Sequence, residues 1–389
     1  MAVFRYHAAE LYQWLSEGRD IQVVDVRNAK DFSRFHIEAP RPFPLVNVPY
    51  FDFMEDEAGS VGRVPQERPV RIVCAQEGSA KYVAEILDQH GFPEVGYLEG
   101  GIKSWGNLLV PRSLASEDDW SLHQFIRPGK ASCSYALLAG TEMIVFDPSR
   151  AVDFYLGYAE QHGCMLSATC ETHLQADYIA GSRILASRTG ARFYGHQGDF
   201  AGTKIDFIPL SDGMEIGPAA GPSVRVLHTP GHTPGSTSFI IDERYFLSGD
   251  TVFLDSIGRP DLGGKMEEWV KLLHATIRRV ATELDENLIV LPAHFISWGE
   301  ADEQLRFARN LGQVKRANRH IFELTDETAF TDFIRNNMRP QPPEYTTIRM
   351  VNANLRHEDD DQLEVLDLGK NECAATAYAN RQAHSRTVG

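Results

Sequence analysis

Histidine and aspartate residues that could bind a metal follow apolar runs in the second half of the chain. They are His173, His232, Asp250 and His294. Side chains that come directly after neighbouring strands gather at one edge of a sheet, so we expect these four to lie close together. Imidazole and carboxylate groups are ligands that suit zinc and iron(II). The sequence therefore predicts a metal site, with the Gly and Pro residues around His232 forming a tight loop that orients its ring.

A cysteine occupies a second position where chemistry is expected. Cys74 ends an apolar run that begins at Val70, and a short polar loop leads from it into a predicted helix over Ala80–His90. The loop amides and the positive end of that helix favour the thiolate and lower the pKa of the cysteine. They would hold an S-bound anion such as a persulfide in the same way. A buried structural cysteine at a strand end is the competing interpretation.

The elements around Cys74 predict a parallel α/β domain. Short apolar strands alternate with amphipathic helices over about the first 110 residues, as in the predicted helix Ala8–Leu15 and the strand Ile21–Val26. Such alternation is typical of a parallel sheet. The Ser and acidic residues of Arg112–Asp119 predict a linker after this domain.

From about His123 onwards the pattern changes to clusters of strands with interspersed helices. This pattern favours two stacked sheets with helices outside them. After Thr325 the chain predicts helix plus extended segments. We therefore expect an α/β domain over residues 1–115, a metal-binding domain over 120–310, and a helical and extended extension over 311–389 that packs on the metal-binding domain.

The composition excludes several classes of protein. Lys and Arg number 38 against 54 Asp and Glu, and the resulting net charge of −16 argues against a nucleic-acid partner. No apolar run approaches the roughly 20 residues that a membrane helix needs, and the amino-terminal residues lack a secretory signal pattern. Five irregularly spaced cysteines fit a reducing compartment. We therefore expect a cytoplasmic protein with no nucleic-acid or membrane partner.

The surroundings of Cys74 resemble a rhodanese domain, a sulfurtransferase module. The resemblance rests on Asp25–Arg27 at the end of a strand, on the position of Cys74, and on the closing segment Tyr97–Trp105, and it covers about residues 5–110. It implies that Cys74 carries persulfide sulfur. The family's loop reads Cys-x-x-Gly-x-Arg-Ser, whereas Ser79 stands here where the arginine belongs. We therefore expect a degenerate domain with weak or absent thiosulfate sulfurtransferase activity.

The metal-binding segments resemble the metallo-β-lactamase superfold. The segments are Thr172–Tyr178, His228–Ser236, Ser248–Phe253 and Leu291–His294. The resemblance covers about residues 120–310 and implies an αββα sandwich. The superfamily's first motif is His-x-His-x-Asp-His, of which His173 and Asp177 are kept, while Gln175 and Tyr178 replace the other two histidines.

Within that superfamily the chain looks most similar to persulfide dioxygenases. The supporting segments are Glu171–His173, Ser248–Leu262 and Pro343–Asn352. The resemblance implies that His173, His232 and Asp250 bind one iron(II) ion, Fe(II), per chain, and that Arg259 contacts the thiol substrate. It also implies the reaction, in which O2 oxidises the outer sulfur of a low-molecular-weight persulfide, such as glutathione persulfide, to sulfite and releases the thiol.

Four residues beside these ligands are expected to position them rather than to bind a second metal. A neutral phenol with a pKa of about 10 is a poor ligand near neutral pH, so Tyr178 cannot replace the histidine expected there. Gln175 replaces another, and a second metal position would keep only Asp177 and His294. We therefore expect one metal per chain, with zinc as the less favoured metal, and a hydrogen-bonded network of these residues beside it.

Two other functions remain open. The first is a zinc-dependent thioester hydrolase of the glyoxalase II type, against which Gln175 and Tyr178 count because such enzymes normally use two metals. The second is a non-enzymatic sulfur-carrier or regulatory protein in which both sites have decayed. The expected partners are a small-molecule thiol persulfide and O2, and the sequence leaves the oligomeric state, a homo-oligomer included, undetermined.

Overall fold

Five short parallel strands form the sheet of the first unit in the computed structural model, which describes residues 3–375. They are β1 (Phe4–Tyr6), β2 (Gln22–Asp25), β3 (Leu45–Asn47), β4 (Val70–Val73) and β5 (Val95–Leu98). They pair in the order β1-β5-β4-β2-β3, and every pair is parallel. Strands β2 and β4 are buried along their whole length, as expected for central strands of a sheet covered on both faces. The predicted parallel α/β domain is confirmed.

Five helices connect these strands, and a sixth follows β5. They are α1 (Ala8–Glu17), α2 (Ala29–Arg34), α3 (Tyr50–Glu55), α4 (Glu57–Val61), α5 (Glu77–Gln89) and α6 (Gly101–Asn107). Val83, Ala84 and Leu87 on one face of α5 share a buried cluster with Val70 and Ile72 of β4. This packing fixes the strand end from which Cys74 follows. The unit consists of Met1–Val110 together with Arg127–Lys130 and Leu368–Lys370.

Two sheets form the framework of the second unit. The strands of the first sheet are β6 (Val110–Ser116), β7 (Trp120–Arg127), β8 (Ser132–Ala139), β9 (Glu142–Phe146), β10 (Met165–Cys170), β11 (Arg192–His196) and β12 (Ile208–Leu210). Those of the second are β13 (Glu215–Ile216), β14 (Val224–His228), β15 (Thr237–Ile241), β16 (Tyr245–Gly249), β17 (Ile289–Pro292) and β18 (Arg309–Asn310). In both sheets the strands are ordered as they occur along the chain, and in the first sheet this order runs from β12 to β6.

The two sheets pack face to face. The ring centroids of Phe146 in β9 and Phe239 in β15 lie 5.0 Å apart, and both side chains are fully buried. The Tyr135 hydroxyl in β8 donates a hydrogen bond of 2.6 Å to the carbonyl of Pro292 in β17. Apolar contact and a satisfied buried hydroxyl therefore join the sheets, and the predicted sandwich is confirmed.

Nine helices of the described chain belong to the second unit. They are α7 (Val152–Gln161), α8 (Ser182–Thr189), α9 (Gln197–Phe200), α10 (Met266–Glu283), α11 (Leu311–Ala317), α12 (Arg319–Phe322), α13 (Glu327–Asn337), α14 (Glu344–Asn352) and α15 (Asp360–Asp367). Among the described residues the unit contains Pro111–Ile126, Ala131–Asp367 and 371–375. Most of the extension expected over 311–389 therefore folds with the sandwich, and residues 376–389 lie outside the described residues.

The segment predicted as a linker is instead mostly strand. Arg112–Asp119 overlaps β6, the strand at one end of the first sheet. Its Ser and acidic residues indicated a loop, but an end strand of a sheet tolerates polar side chains because one of its edges is unpaired. Within residues 3–375, no helix combines the length and the apolar character needed to cross a membrane.

Candidate metal centre and loop cysteine

The ends of strands position the predicted metal ligands. His173 follows β10, Asp250 follows β16, and His294 follows β17, while His232 lies in the loop between β14 and β15. Each of the four side chains is at most 2% exposed. The structure therefore brings together all four residues that the sequence singled out.

Three of these side chains direct polar atoms at one point. The Nε2 atom of His232 lies 3.3 Å from Oδ2 of Asp250, and Nε2 of His173 lies 3.8 Å from the same oxygen. None of these three buried atoms has a hydrogen-bond partner among the described residues. Burying unpaired polar atoms is costly unless a ligand satisfies them. Two imidazoles and a carboxylate that converge in this way fit a transition-metal ion.

Hydrogen bonds on the far side of each ring fix which nitrogen faces this point. Nδ1 of His232 donates to the backbone carbonyl of Arg259 at 2.8 Å. Nδ1 of His173 lies 2.9 Å from the Thr172 hydroxyl, which itself donates to Asp147 at 2.8 Å. Both Nε2 atoms are therefore left with a free lone pair, the form in which histidine binds a metal.

The electrostatics of the cluster favour its metal-binding protonation states. Burial lowers the pKa of His232 to about 4, so this ring is neutral near pH 7. Burial alone would raise the pKa of Asp250, but the imidazoles of His294, His232 and His173 together hold it below its usual value. A neutral imidazole and an ionised carboxylate are the forms that coordinate cations.

His294 lies between two carboxylates. Its Nδ1 is 2.7 Å from Oδ1 of Asp250, and its Nε2 is 2.9 Å from Oδ2 of Asp177. Burial would lower the pKa of His294, but the two carboxylates outweigh it and raise the pKa to about 10. In the metal-free protein His294 is therefore an imidazolium that orients Asp250 by a hydrogen bond.

The two residues that replace superfamily histidines bond to Asp147. Nε2 of Gln175 donates to Oδ1 of Asp147 at 3.2 Å, and the Tyr178 hydroxyl donates to the Asp147 carbonyl at 3.1 Å. Burial raises the pKa of Tyr178 well above its usual value, so this phenol stays protonated. These groups support the loop that carries His173.

Sequence reasoning missed two carboxylates that hold the loops. Asp147 accepts hydrogen bonds from the amide and the hydroxyl of Thr172. Asp199 accepts from the amide of Leu174, from the Thr233 hydroxyl and from the amide of Gly235, and so ties together the loops of both histidine ligands. Both aspartates closely follow strands, β9 and β11. The rule that selected the metal ligands could have selected them too.

The guanidinium of Arg259 is bonded to other groups of the chain. It donates to both carboxylate oxygens of Asp261 and to the carbonyls of Glu372 and Arg339, at 2.6 to 3.0 Å. Four of its five N–H groups are therefore used, and the side chain is 2% exposed. In this structure Arg259 holds the segment that contains Glu372, and its contact with a substrate stays a prediction.

Two glycines allow the loops to approach closely enough for this geometry. A Cβ atom on Gly258 would collide with the Asp250 carbonyl and lie 3.0 Å from Nδ1 of His232. Gly231, with φ of +146°, lies directly against Leu273 of α10, where a Cβ atom would overlap the helix backbone. Substitution at either position would displace the loop that carries His232.

The environment of Cys74 differs from the expected one. Burial raises the pKa of the thiol, and this effect outweighs hydrogen bonds from the amides of Gln76 and Ala75 and from the Ser79 hydroxyl. Asp25 raises the pKa further. The expected low pKa is therefore wrong for this structure: the amides donate to the sulfur as predicted, but they act on a thiol that is only 6% exposed.

Comparison with known families agrees with both the parallel α/β domain and the two-sheet sandwich. Residues 7–108 match the rhodanese-like domain, and residues 126–311 match the metallo-beta-lactamase superfamily. The chain joins a rhodanese-like domain to a metallo-beta-lactamase domain. The match to the rhodanese-like domain includes Cys74, and the match to the metallo-beta-lactamase domain includes all four predicted metal-site residues.

Similar proteins include hydrolases and a sulfurtransferase. A hydroxyacylglutathione hydrolase from Anaeromyxobacter dehalogenans is 34% identical over 168 residues, which cover 43% of this chain and 63% of that protein. A second, from Acidiphilium cryptum, is 32% identical over 39% of this chain and 58% of its own length. The matched residues thus span less than two thirds of the length of each of these two relatives. The thiosulfate sulfurtransferase GlpE from Shewanella oneidensis is 29% identical over 27% of this chain and 95% of that protein.

Solved structures share the sandwich. A metallo-beta-lactamase from Staphylococcus aureus aligns with a TM-score of 0.55 and 24% identity, over 62% of this chain and 74% of that one. ETHE1 from Myxococcus xanthus aligns with a TM-score of 0.51 and 23% identity, over 60% of this chain and 99% of that one. At this identity the likeness establishes the fold.

Proposed function

We propose that the chain is an iron(II)-dependent dioxygenase of a low-molecular-weight persulfide such as glutathione persulfide. The donor set of His173, His232 and Asp250 carries this proposal. Two histidines and one carboxylate on one side of a metal are typical of non-haem iron(II) oxygenases, because they leave positions open for a substrate and O2. The presence of a rhodanese-like domain, a module of sulfane-sulfur chemistry, supports a sulfur substrate.

Bound iron would supply the place where O2 and the outer persulfide sulfur meet. The overall reaction converts persulfide, O2 and water into thiol, sulfite and protons. His173 and His232 would hold the iron through Nε2, and Asp250 through Oδ2. Thr172 and the Arg259 carbonyl would keep the two rings aimed at it, and such supporting hydrogen bonds typically matter about 10- to 100-fold for metal affinity or activity.

A cleft beside the His173 loop is suited to the thiol part of the substrate. It has a volume of about 490 Å³, within the usual range for small-molecule sites, and its lining includes Leu174, Leu262 and Arg349. Nη1 of Arg349 donates to the Leu262 carbonyl, and its buried Nε has no hydrogen-bond partner among residues 3–375. A guanidinium with an unused donor suits a carboxylate such as those of glutathione.

A zinc-dependent hydrolase of glutathione thioesters is the second candidate. The curated relatives named hydroxyacylglutathione hydrolase favour it. Both candidates use a glutathione-linked sulfur, and they differ in the metal and in the bond that breaks.

The deciding experiment is anaerobic purification of the full chain, followed by iron and zinc analysis and two assays. O2 uptake with glutathione persulfide, with sulfite as the product, would support the dioxygenase, and glutathione alone serves as the control substrate. Hydrolysis of a glutathione thioester by zinc-loaded protein, without persulfide-dependent O2 uptake, would support the hydrolase instead. Absence of both activities in metal-loaded protein would favour a carrier or regulatory role.

A further inference from the structure

Two histidine rings outside the candidate metal centre stack face to face. The ring centroids of His196 and His228 lie 4.0 Å apart, and their planes are inclined by 14°. His196 ends β11 of the first sheet, and His228 ends β14 of the second. The helix α9 follows the first ring, and the loop that carries His232 follows the second. The stacked pair therefore stands directly before two segments that support the centre.

His196 holds the start of α9. Its Nδ1 accepts a hydrogen bond of 3.0 Å from the amide of Gly198, the second residue of this short helix. The bond satisfies one of the amides that a helix leaves without a partner at its start. Because Nδ1 is the acceptor, the neutral ring carries its proton on Nε2.

His228 holds the segment that packs against α9. Its Nε2 donates a hydrogen bond of 3.0 Å to the carbonyl of Pro234. A Cβ atom on Gly198 would lie 2.9 Å from both the carbon and the oxygen of that carbonyl, so α9 and the loop touch backbone to backbone. Each ring of the pair thus holds one side of this close contact.

Asp199 connects α9 to the candidate metal centre. Its carboxylate accepts hydrogen bonds from the Leu174 amide at 2.9 Å, the Thr233 hydroxyl at 2.6 Å and the Gly235 amide at 2.8 Å. These donors belong to the loops of both histidine ligands. A displacement of α9 would therefore weaken the support behind both ligands at once.

The surroundings of the pair keep the His196 ring neutral near pH 7. Burial lowers its pKa, the neighbouring His228 lowers it further, and Asp199 of α9 opposes both effects. On the side of His228, Asp212 in the loop after β12 accepts from the His228 amide, and Arg279 of α10 donates to Asp212 and to the His228 carbonyl. The strand β12 places an apolar residue opposite His196.

We propose that His196 is a pH-sensitive positioning residue, which holds α9 and Asp199 in place while its ring is neutral and releases them when the ring gains a proton. The added proton must go to Nδ1, because Nε2 already carries one. Nδ1 then becomes a donor that faces the Gly198 amide, itself a donor, and their hydrogen bond is lost. A charge on His228, whose ring lies 4.0 Å away, then repels the charge on His196.

Acid therefore weakens the metal centre from outside its own ligands. The hydrogen bond to α9 is intact above about pH 6.5, the ordinary pKa of histidine, and is lost as the pH falls below it. The inference goes beyond the proposed function, because it concerns how firmly the centre retains a metal, whichever metal binds and whichever reaction follows.

The test measures Zn²⁺ affinity by competition with a chelator between about pH 7.5 and pH 5. His196→Asn supplies an oxygen that can accept from the Gly198 amide but does not gain a proton in this range. We expect similar affinities at the upper pH. Over the range the unaltered protein should lose about 10-fold more affinity than His196→Asn, the lower end of the usual effect of a supporting residue. Protonation of the metal ligands themselves acts on both proteins alike, so equal losses would overturn the proposal.

Two further variants separate positioning from packing. His196→Ala has no acceptor at any pH, so its affinity is expected to be low already at the upper pH, with no additional loss in acid. His357→Asn, at an exposed histidine, is expected to behave like the unaltered protein. Circular dichroism confirms that each variant folds. An affinity of His196→Ala equal to that of the unaltered protein at the upper pH would contradict the role of His196.

Hydrogen–deuterium exchange of metal-free protein tests the same step without a metal or an assay of activity. After correction for the intrinsic pH dependence of exchange, the amides of α9 are expected to lose protection in acid in the unaltered protein but to keep it in His196→Asn. Protection of α9 that stays constant in the unaltered protein would overturn the proposal. Loss of protection without the additional loss of Zn²⁺ affinity would also overturn it, because α9 would then not support the centre.

Discussion

The candidate metal centre and the Cys74 loop are both buried clusters of polar groups at strand ends, but burial acts on them in opposite ways. At the metal centre it keeps the His232 imidazole neutral, which is the form that binds a metal. At Cys74 it keeps the thiol protonated, which is the form that does not attack an electrophile. Removal from water always favours the uncharged state, and whether that state is the reactive one depends on the group.

The two sites also differ in the support behind them. Each candidate ligand is held by a hydrogen bond away from the point where the three meet, and Asp199 ties two of the loops together. Among residues 3–375, the groups that donate hydrogen bonds to Cys74 are neutral and belong to its own loop. Ser79 stands where a cationic side chain would be needed to bind an anionic sulfur donor. The donor groups of the first site suit a cation, and the second site lacks the positive charge that would suit an anion.

The largest effect on metal content and activity is expected from a substitution at the candidate metal centre. His232→Ala removes one of three ligands, so we expect iron content to fall to near zero and activity to fall by more than about 100-fold, beyond the usual loss from a supporting residue. Metal analysis and O2 uptake measure both. His162→Ala, at an exposed surface histidine, is the matched control. Full metal occupancy in His232→Ala would remove this residue from the metal site.

A smaller loss is expected from weakening the support alone. Asp199→Asn keeps the side-chain shape but weakens acceptance of three hydrogen bonds from the two histidine loops. We expect metal affinity to fall by about 10- to 100-fold, measured by competition with a chelator. The exposed Asp206→Asn provides the comparison. Equal affinity in both variants would show that the loops hold their geometry without Asp199.

The charged network predicts a pH dependence for the metal-free protein. The pKa of His294 is raised to about 10, so its contribution to the free energy of unfolding is complete below its unfolded pKa of about 6.5. That contribution is lost as the pH rises through about 10. Denaturant titrations at several pH values should therefore show a steeper loss for the unaltered protein than for His294→Gln. Parallel curves would mean that the two carboxylates do not hold an imidazolium.

The smallest effect concerns Cys74. Because its pKa is raised, its alkylation rate should still be increasing above about pH 9, unlike that of an activated cysteine. We still expect Cys74 to be modified before Cys133, Cys170 and Cys373, whose pKa values are raised well above the usual value. Peptide mapping after limited alkylation measures the order. Rapid modification of Cys74 at neutral pH would show that the loop amides outweigh burial.

The sequence by itself predicted the two folds and the residues that meet at the candidate metal centre. Strand and helix periodicity are local, so the alternation before residue 110 and the strand clusters after it could be read directly. Polar residues after buried strands were expected to meet at one edge of a sheet. His173, His232, Asp250 and His294 do meet, but His173 follows a strand of the first sheet and the other three follow strands of the second. Asp147 and Asp199 obey the same rule and could have been found with it.

Only the tertiary structure decided which groups surround each reactive atom. The pKa of Cys74 depends on how much water is excluded from its sulfur. The orientation of the Arg259 guanidinium depends on hydrogen-bond acceptors supplied by Asp261, Arg339 and Glu372. Cys373 reaches Asp177 and His294 because its segment pairs as a strand with the loop at Gly258. Contacts between residues so far apart in the chain leave no local pattern, since burial and hydrogen bonding are set by packing and not by neighbours in sequence.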